Sequence, residues 1–363
     1  MRVLVAGATG AVGTPLTRKL LAAGHEVIGL SRTPGKRDKL RALGAESLVV
    51  DVMDKTALLN AVDGLEADAV IHQLTAMKNA SPRLRADDPT NALRTRGTAN
   101  LLAAARMIGA RRLVTQSLIF GYGYGDHGAR ELTEDDPFGL PQGIYTDPLV
   151  AGLLSAEQQT FTAEGIEGIA LRYGLLYGPG AFSDLFVELM RRRRLAIPRG
   201  GGGTISWIHV EDAAAATVAA LELGQAGRAY NVVDDEPVNW RDFTWTLAEA
   251  FGTPRPLAVP RWALRLVAPY LAFMMTSTLR VSNAKAKREL LWTPATPTYH
   301  EGISRLAQAL GRRGQRSDTK RWWRSTKEQI GIYLTPEDHD RGVAGHITVL
   351  DTGDASRAGS GVI

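Results

Sequence analysis

Val3-Leu-Val-Ala-Gly7-Ala-Thr-Gly10-Ala-Val-Gly13 stands at the head of the chain. Four apolar residues make a short strand, glycines follow at three-residue spacing, and a helical pattern then begins near Pro15 and stops at Gly24. Strand, glycine turn and helix in that order bring backbone amides and a helix N-terminus up to a ligand with no side chain between. That arrangement suits a pyrophosphate. The expected dinucleotide contacts are Gly7, Thr9, Gly10, Ala11, Val12 and Gly13.

Outward from this turn, short apolar runs alternate with helical periods. Glu26 to Leu30, Ser47 to Val50, Ala69 to Leu74, Arg112 to Ser117 and Ile166 to Arg172 read as strands, and Asn91 to Ile108 reads as a helix. Such alternation predicts an α/β fold, a Rossmann-type doubly wound parallel sheet. After Gly180 come a basic run, Arg191 to Arg194, a glycine cluster, Gly200 to Gly203, a strand and helix over Ile205 to Leu223, and a strand over Tyr230 to Val233. From Pro237 to about Leu310 the chain is richer in Trp and Pro, with helical periods and no strand alternation. We therefore expect an NAD(P)-binding domain over residues 1–180, completed by 205–235, and a smaller, mostly helical substrate cap over 181–204 and 236–310. Residues 311–363 read as a C-terminal extension, partly flexible, in which Trp322 and Trp323 serve packing or a subunit contact.

Composition excludes several classes. Of 363 residues 44% are hydrophobic and 22% charged, the balance of an ordinary globular protein. Without cysteine there is no disulfide, thiolate metal site or cysteine nucleophile, and redox chemistry needs a borrowed cofactor. The histidines show no metal-ligand spacing on one helix turn, so no metal is expected. A net charge of +5 does not call for nucleic acid. The apolar stretch of most interest, Leu266 to Leu279, is broken by Pro269 and falls short of the ~20 residues that span a bilayer. With no signal-peptide pattern at residue 1, the expectation is a cytoplasmic protein with a small, apolar substrate, no membrane span and scope for a homodimer.

The end of the second strand decides between the two nicotinamide dinucleotides, because an acid there accepts the ribose hydroxyls whereas arginine accommodates a 2′-phosphate. Ser31, Arg32, Thr33, Pro34, Gly35, Lys36 and Arg37 contain no acid. NADP is expected, with NAD as the alternative, and Ser31 and Arg32 as its contacts. Asp51 and Val52, after the third strand, are placed for the adenine, although aspartate at a strand end also forms turns.

Beyond the glycine turn, five stretches resemble the extended or atypical short-chain dehydrogenase/reductases, the NAD-dependent epimerase/dehydratase group. They are VIHQLTA (Val70 to Ala76), RGTANLLAAA (Arg96 to Ala105), LRYGLLYGPG (Leu171 to Gly180), WIHVEDA (Trp207 to Ala213) and YNVVDDEP (Tyr230 to Pro237). SNAKAKRELLW, Ser282 to Trp292, matches as well. The resemblance implies a cofactor across the strand ends, lined by Leu74, Thr75 and Ala76, with His209 and Asp212 holding a turn rather than reacting.

The resemblance also implies a tyrosine, a lysine four residues later and a serine. A phenol titrating near ~10 needs a neighbouring cation to act at neutral pH. Yet no lysine occurs between Lys78 and Lys285. Tyr145 stands where the tyrosine belongs, but its fourth successor is Leu149; aligning through Glu157 instead places Leu149 and Leu153 at the two positions. The serine falls on Gln116 without a gap and on Ser117 with a one-residue slip. Tyr122 and Tyr124, flanked by glycines, read with Asp126 and His127 as a polar, flexible loop. The candidate catalytic residues are Ser117, Tyr145 and His127, with Tyr122 as a further proton donor. Three functions compete: NADPH-dependent reduction of a small hydrophobic carbonyl or enone, a redox-neutral epimerisation or isomerisation that retains the nucleotide, and a non-catalytic dinucleotide sensor.

Overall fold

The computed structural model describes residues 1–76 and 88–314, and the last helix's side chains only to 308. Lys78 and the extension beyond 314, with Trp322 and Trp323, lie outside the described residues.

The first half alternates strand and helix: β1 (Arg2–Ala6), α1 (Gly13–Ala22), β2 (Glu26–Ser31), α2 (Arg37–Ala42), β3 (Glu46–Val49), α3 (Lys55–Val62) and β4 (Ala69–His72). Then come α4 (Pro89–Ala92), a π-turn (Leu93–Gly97), α5 (Thr98–Met107), β5 (Arg112–Leu118), α6 (Asp147–Phe161) and β6 (Glu167–Tyr173). Beyond these lie β7 (Leu175–Tyr177), α7 (Phe182–Arg191), β8 (Ala196–Pro198), β9 (Thr204–Ile205), β10 (Trp207–His209), α8 (Val210–Leu223) and β11 (Arg228–Val232). The chain goes on through β12 (Val238–Asn239), α9 (Trp240–Ala250), β13 (Leu257–Val259), α10 (Arg261–Val267), α11 (Pro269–Thr276), α12 (Ala284–Glu289) and α13 (Tyr299–Gly314).

Seven parallel strands form the main sheet in the order β11-β6-β5-β4-β1-β2-β3. Helices cover both faces, so the central strands β1 and β4 are buried almost throughout rather than alternating with exposed polar residues. The two-residue period of a strand divides β1 between two cores. Val3 and Val5 pack with α1 and α8 residues such as Leu16, Ala213 and Ala220, while Leu4 and Ala6 pack with Leu58, Leu101 and Ala105 of α3 and α5. A third core is aromatic, built on Trp207, Trp240, Phe243, Tyr177 and Phe186, with Trp207 stacked on Phe243 at 3.6 Å. It also takes in Leu149 and Leu153 of α6.

Two expectations are corrected. The segment after Pro237 is not free of strands: β12 pairs with β9 and β13 with β8. These strands of two or three residues are too short to show a period. And β4 ends at His72, not Leu74, because the Leu74 amide turns back onto His72 Nδ1 at 3.2 Å.

Candidate functional site

The chain runs outward from β1 to β3 and returns to β4 on the other side of β1, so the loops after β1 and β4 diverge and leave a crevice at the strand ends. Gly7 lines that crevice with φ +92°, and a Cβ on it would meet the Gln73 carbonyl at 2.7 Å. At Gly13 a Cβ would fall 2.0 Å from the Gly7 carbonyl. Only glycine permits this closure. Gly7, Thr9, Gly10 and Ala11 remain half-exposed, whereas Val12 and Gly13 are buried.

Helix α1 carries no side-chain cap and no acid in its first turn, whereas Asp54, His209 and Asn239 cap α3, α8 and α9. Uncapped amides at a glycine turn fit a pyrophosphate. The second-strand cations follow directly. Arg32, Lys36 and Arg37 are exposed, while Ser31 is buried and spends its hydroxyl on Thr33, 3.3 Å from the amide and 3.2 Å from the carbonyl. Asp51 accepts the Met53 amide at 2.9 Å and so shapes a turn; the Val52 carbonyl accepts from Asn100 at 2.8 Å. Leu74, Thr75 and Ala76 are half-exposed or exposed at the β4 end.

At the end of β5, Gln116 and Ser117 face opposite ways. The Gln116 amide reaches the Leu74 carbonyl at 2.5 Å. Ser117 points to the opposite face with Thr115, whose hydroxyl meets Thr160 of α6 at 2.9 Å. Ser117 is 1% exposed and its Oγ has no hydrogen-bond partner. Tyr145, 39% exposed, stacks on Phe273 of α11 with centroids 6.0 Å apart. Leu149 and Leu153 are 7% and 1% exposed, so neither position offers an ionisable group. His127 is half-exposed, with Nε2 3.2 Å from the Gly123 carbonyl.

The glycine-flanked loop after β5 is a further correction. Tyr122 and Tyr124 are both buried. The Tyr122 hydroxyl donates to Asn231 Oδ1 at 2.8 Å and accepts from Arg172 Nη1 at 2.9 Å; burial pushes its pKa up to about 12. Arg172 forms a buried pair with Glu157 at 2.8 Å and lies over the Phe138 ring at 3.7 Å. The Tyr122 proton is thus already committed to Asn231. Tyr124 stacks on Phe120 at 4.8 Å and places its hydroxyl 3.4 Å from that of Tyr270.

His209 and Asp212 hold a turn. His209 Nδ1 accepts the Glu211 amide, and Asp212 accepts from the Ala295 and Thr296 amides at 2.9 and 3.0 Å and from the Thr296 hydroxyl. Sequence reasoning missed Arg94. This buried arginine of the π-turn lies against α6, its Cδ 3.6 Å from where a Cβ on Gly152 would stand, one residue before Leu153. Its signal was a basic residue two positions before the RGTANLLAAA stretch, inside the helical pattern that starts at Asn91. Among the described residues no three acids or histidines could hold a metal ion, and no helix is long and apolar enough to cross a membrane.

Comparison with known proteins bears on this geometry. A Streptomyces protein named 3-diazoavenalumate denitrifying reductase is 38% identical over 322 residues, 84% of this chain and 100% of that protein. A 2-alkyl-3-oxoalkanoate reductase of Stenotrophomonas maltophilia is 30% identical over 265 residues, 70% of this chain and 77% of its own length. Among solved structures, Thermus thermophilus UDP-glucose 4-epimerase in complex with NAD superposes with a TM-score of 0.68 at 25% identity, covering 85% of this chain and 98% of its own. A human epimerase family protein with NADPH gives the same score at 22% identity, covering 85% and 99%. The sequence profile of the NAD-dependent epimerase/dehydratase family matches residues 3–233, and the chain belongs to that family.

Proposed function

We propose that this protein is an NADPH-dependent reductase that delivers hydride to a small, largely apolar acceptor without the tyrosine–lysine acid of its family. The observation that carries this reading is the pair Leu149 and Leu153, buried in the aromatic core at the two positions that the alignment through Glu157 gives to the family's phenol and ammonium. Reductase names among the relatives support the reaction class.

When bound, the dinucleotide supplies the hydride. The glycine turn and the α1 amides would hold its pyrophosphate, and Arg32, Lys36 and Arg37 its 2′-phosphate. Leu74, Thr75 and Ala76 would form the floor beside it. Ser117, a buried hydroxyl lacking a partner, would donate to the acceptor oxygen of a ketone or enone. Tyr145, stacked on Phe273, would close the apolar side. Positioning and oxygen stabilisation then carry the rate in place of a tuned phenol.

The missing acid specifically favours a second acceptor. Hydride replacing the dinitrogen of an aryl diazonium forms a C–H bond as the C–N bond breaks and N2 leaves with the C–N electron pair, and no oxygen has to be protonated. The test is NADPH oxidation across hydrophobic ketones, enones and an aryl diazonium salt. Turnover of one class is expected; tight NADPH binding with no oxidation by any of them would favour the sensor reading instead.

A further inference from the structure

Two arginines are buried, and among the described residues only Arg172 has a carboxylate in an ion pair with it. Arg172 is paired with Glu157. Arg94, 7% exposed, donates from Nη1 to Asn91 Oδ1 at 3.3 Å, and no carboxylate among the described residues forms an ion pair with it. Asp88, whose charge reaches it, spends Oδ1 on the Thr90 and Asn91 amides at the start of α4. A guanidinium has five donors in a planar fork, and leaving such a charge buried without an anion is costly.

Besides Asp88, three side chains feel the charge of Arg94, from β4, from the segment after β5 and from α11. His72 at the β4 end is kept neutral by burial, its pKa held at about 4. Tyr124 follows β5 and Tyr270 belongs to α11; burial raises both phenols, so both stay protonated. With the two hydroxyls 3.4 Å apart, one donates to the other and one O–H remains for a ligand. Tyr124 also stacks on Phe120, and Phe273, three residues after Tyr270 on α11, stacks on Tyr145. One fork and one hydroxyl proton suit a singly charged, planar anion; a diphosphate would demand further cations.

We propose that Arg94, with the Tyr124–Tyr270 hydroxyl pair, binds the carboxylate of the substrate, so that the acceptor reduced here is an organic monocarboxylic acid. This rests on the reductase reading above and names its substrate class.

The experiment titrates the full chain, loaded with NADP+, with trans-cinnamate and with neutral cinnamamide by calorimetry. Cinnamate is expected to bind at least about tenfold more tightly, a preference that Arg94→Gln removes and Arg94→Lys keeps in part. Tyr270→Phe is expected to weaken cinnamate roughly threefold, and NADP+ affinity should stay unchanged in all three variants. Equal binding of acid and amide by the parent, no binding of either at millimolar concentration, or an unchanged preference in Arg94→Gln overturns the proposal. If Arg94→Gln does not fold, the parent's acid-to-amide ratio and Tyr270→Phe decide. Failure of NADP+ to bind would instead strike the reductase reading, since Arg94 does not touch the glycine turn.

Discussion

The side-chain amide of Gln116 donates to the main-chain carbonyl of Leu74 at 2.5 Å, fastening the end of β5 to the segment that follows β4. At the position where an ungapped reading puts the family serine, this chain has a brace. Gln116→Ala removes a bond worth about 1 kcal/mol. NADPH affinity should fall about threefold to tenfold, because Leu74 to Ala76 lose their anchor beside the cofactor. Titration of NADPH fluorescence reads the change, and an unaltered affinity would show that this segment is held by other contacts.

Ser117 makes the opposite prediction for stability. Its hydroxyl is buried and has no partner, so Ser117→Ala removes an unsatisfied group and leaves Tm unchanged or higher. Turnover should nevertheless drop by about tenfold or more if the substrate oxygen is the missing partner. Tyr145→Phe should cost less, since Tyr145 is exposed and belongs to a broken pair. Thermal melts and NADPH oxidation on the same two variants separate the effects; a larger loss in Tyr145→Phe would return the proton-donor role to the tyrosine.

The glycine turn and the exposed cations after β2 were legible because each is local. The glycine turn needs only three residues at fixed spacing, and Arg32 to Arg37 only the absence of an acid. What was not legible depended on distant partners. Tyr122 and Tyr124 sit among glycines and read as a flexible loop, yet Arg172, Asn231 and Tyr270 fix them from elements far along the chain. Arg94 in a helical pattern looks like a solvated face; its burial arises only when α6 presents Gly152 against it. Strands β8, β12 and β13 owe their existence to pairing rather than to any pattern of their own.

Cofactor selection is tested at Arg32, which stands exposed just after β2. Arg32→Ala should weaken NADPH by about tenfold to a hundredfold and leave NADH nearly unchanged, because only the former carries the 2′-phosphate. Gly10→Val should abolish both, since the added side chain stands where the pyrophosphate must approach. Equal losses of the two nucleotides in Arg32→Ala would place that guanidinium elsewhere.

His72 gives the acid limb of stability. Burial lowers its pKa to about 4, below the ~6.5 of an exposed imidazole, so between these values the unfolded chain binds a proton that the folded chain refuses. Stability contributed by the neutral ring is therefore full above pH ~6.5 and is lost as pH falls towards 4, by up to roughly 3 kcal/mol. Urea unfolding at pH 7, 5.5 and 4 should show that slope. His72→Gln, which cannot titrate, should be less stable at pH 7 but flatter over the window; parallel curves would exclude His72 as the source.

Restoring the family's missing ammonium should fail. Leu153 is 1% exposed and packs in the aromatic core, so Leu153→Lys forces a charge into a site whose neighbouring carboxylate, Glu157 one helical turn on, is already paired with Arg172, beside the Arg94 side chain that runs along α6 at Gly152. A buried charge without a carboxylate of its own costs on the order of 3 to 5 kcal/mol, and the repulsion from Arg94 adds to it. The lysine would shed its proton rather than serve as a cation. Leu149→Tyr/Leu153→Lys should therefore lose stability by urea titration without gaining NADPH oxidation on ketones. A gain in rate together with a new basic limb in the pH profile would show that this crevice still accommodates a phenolate and its cation, and that the chain lost its pair without rebuilding the site around the loss.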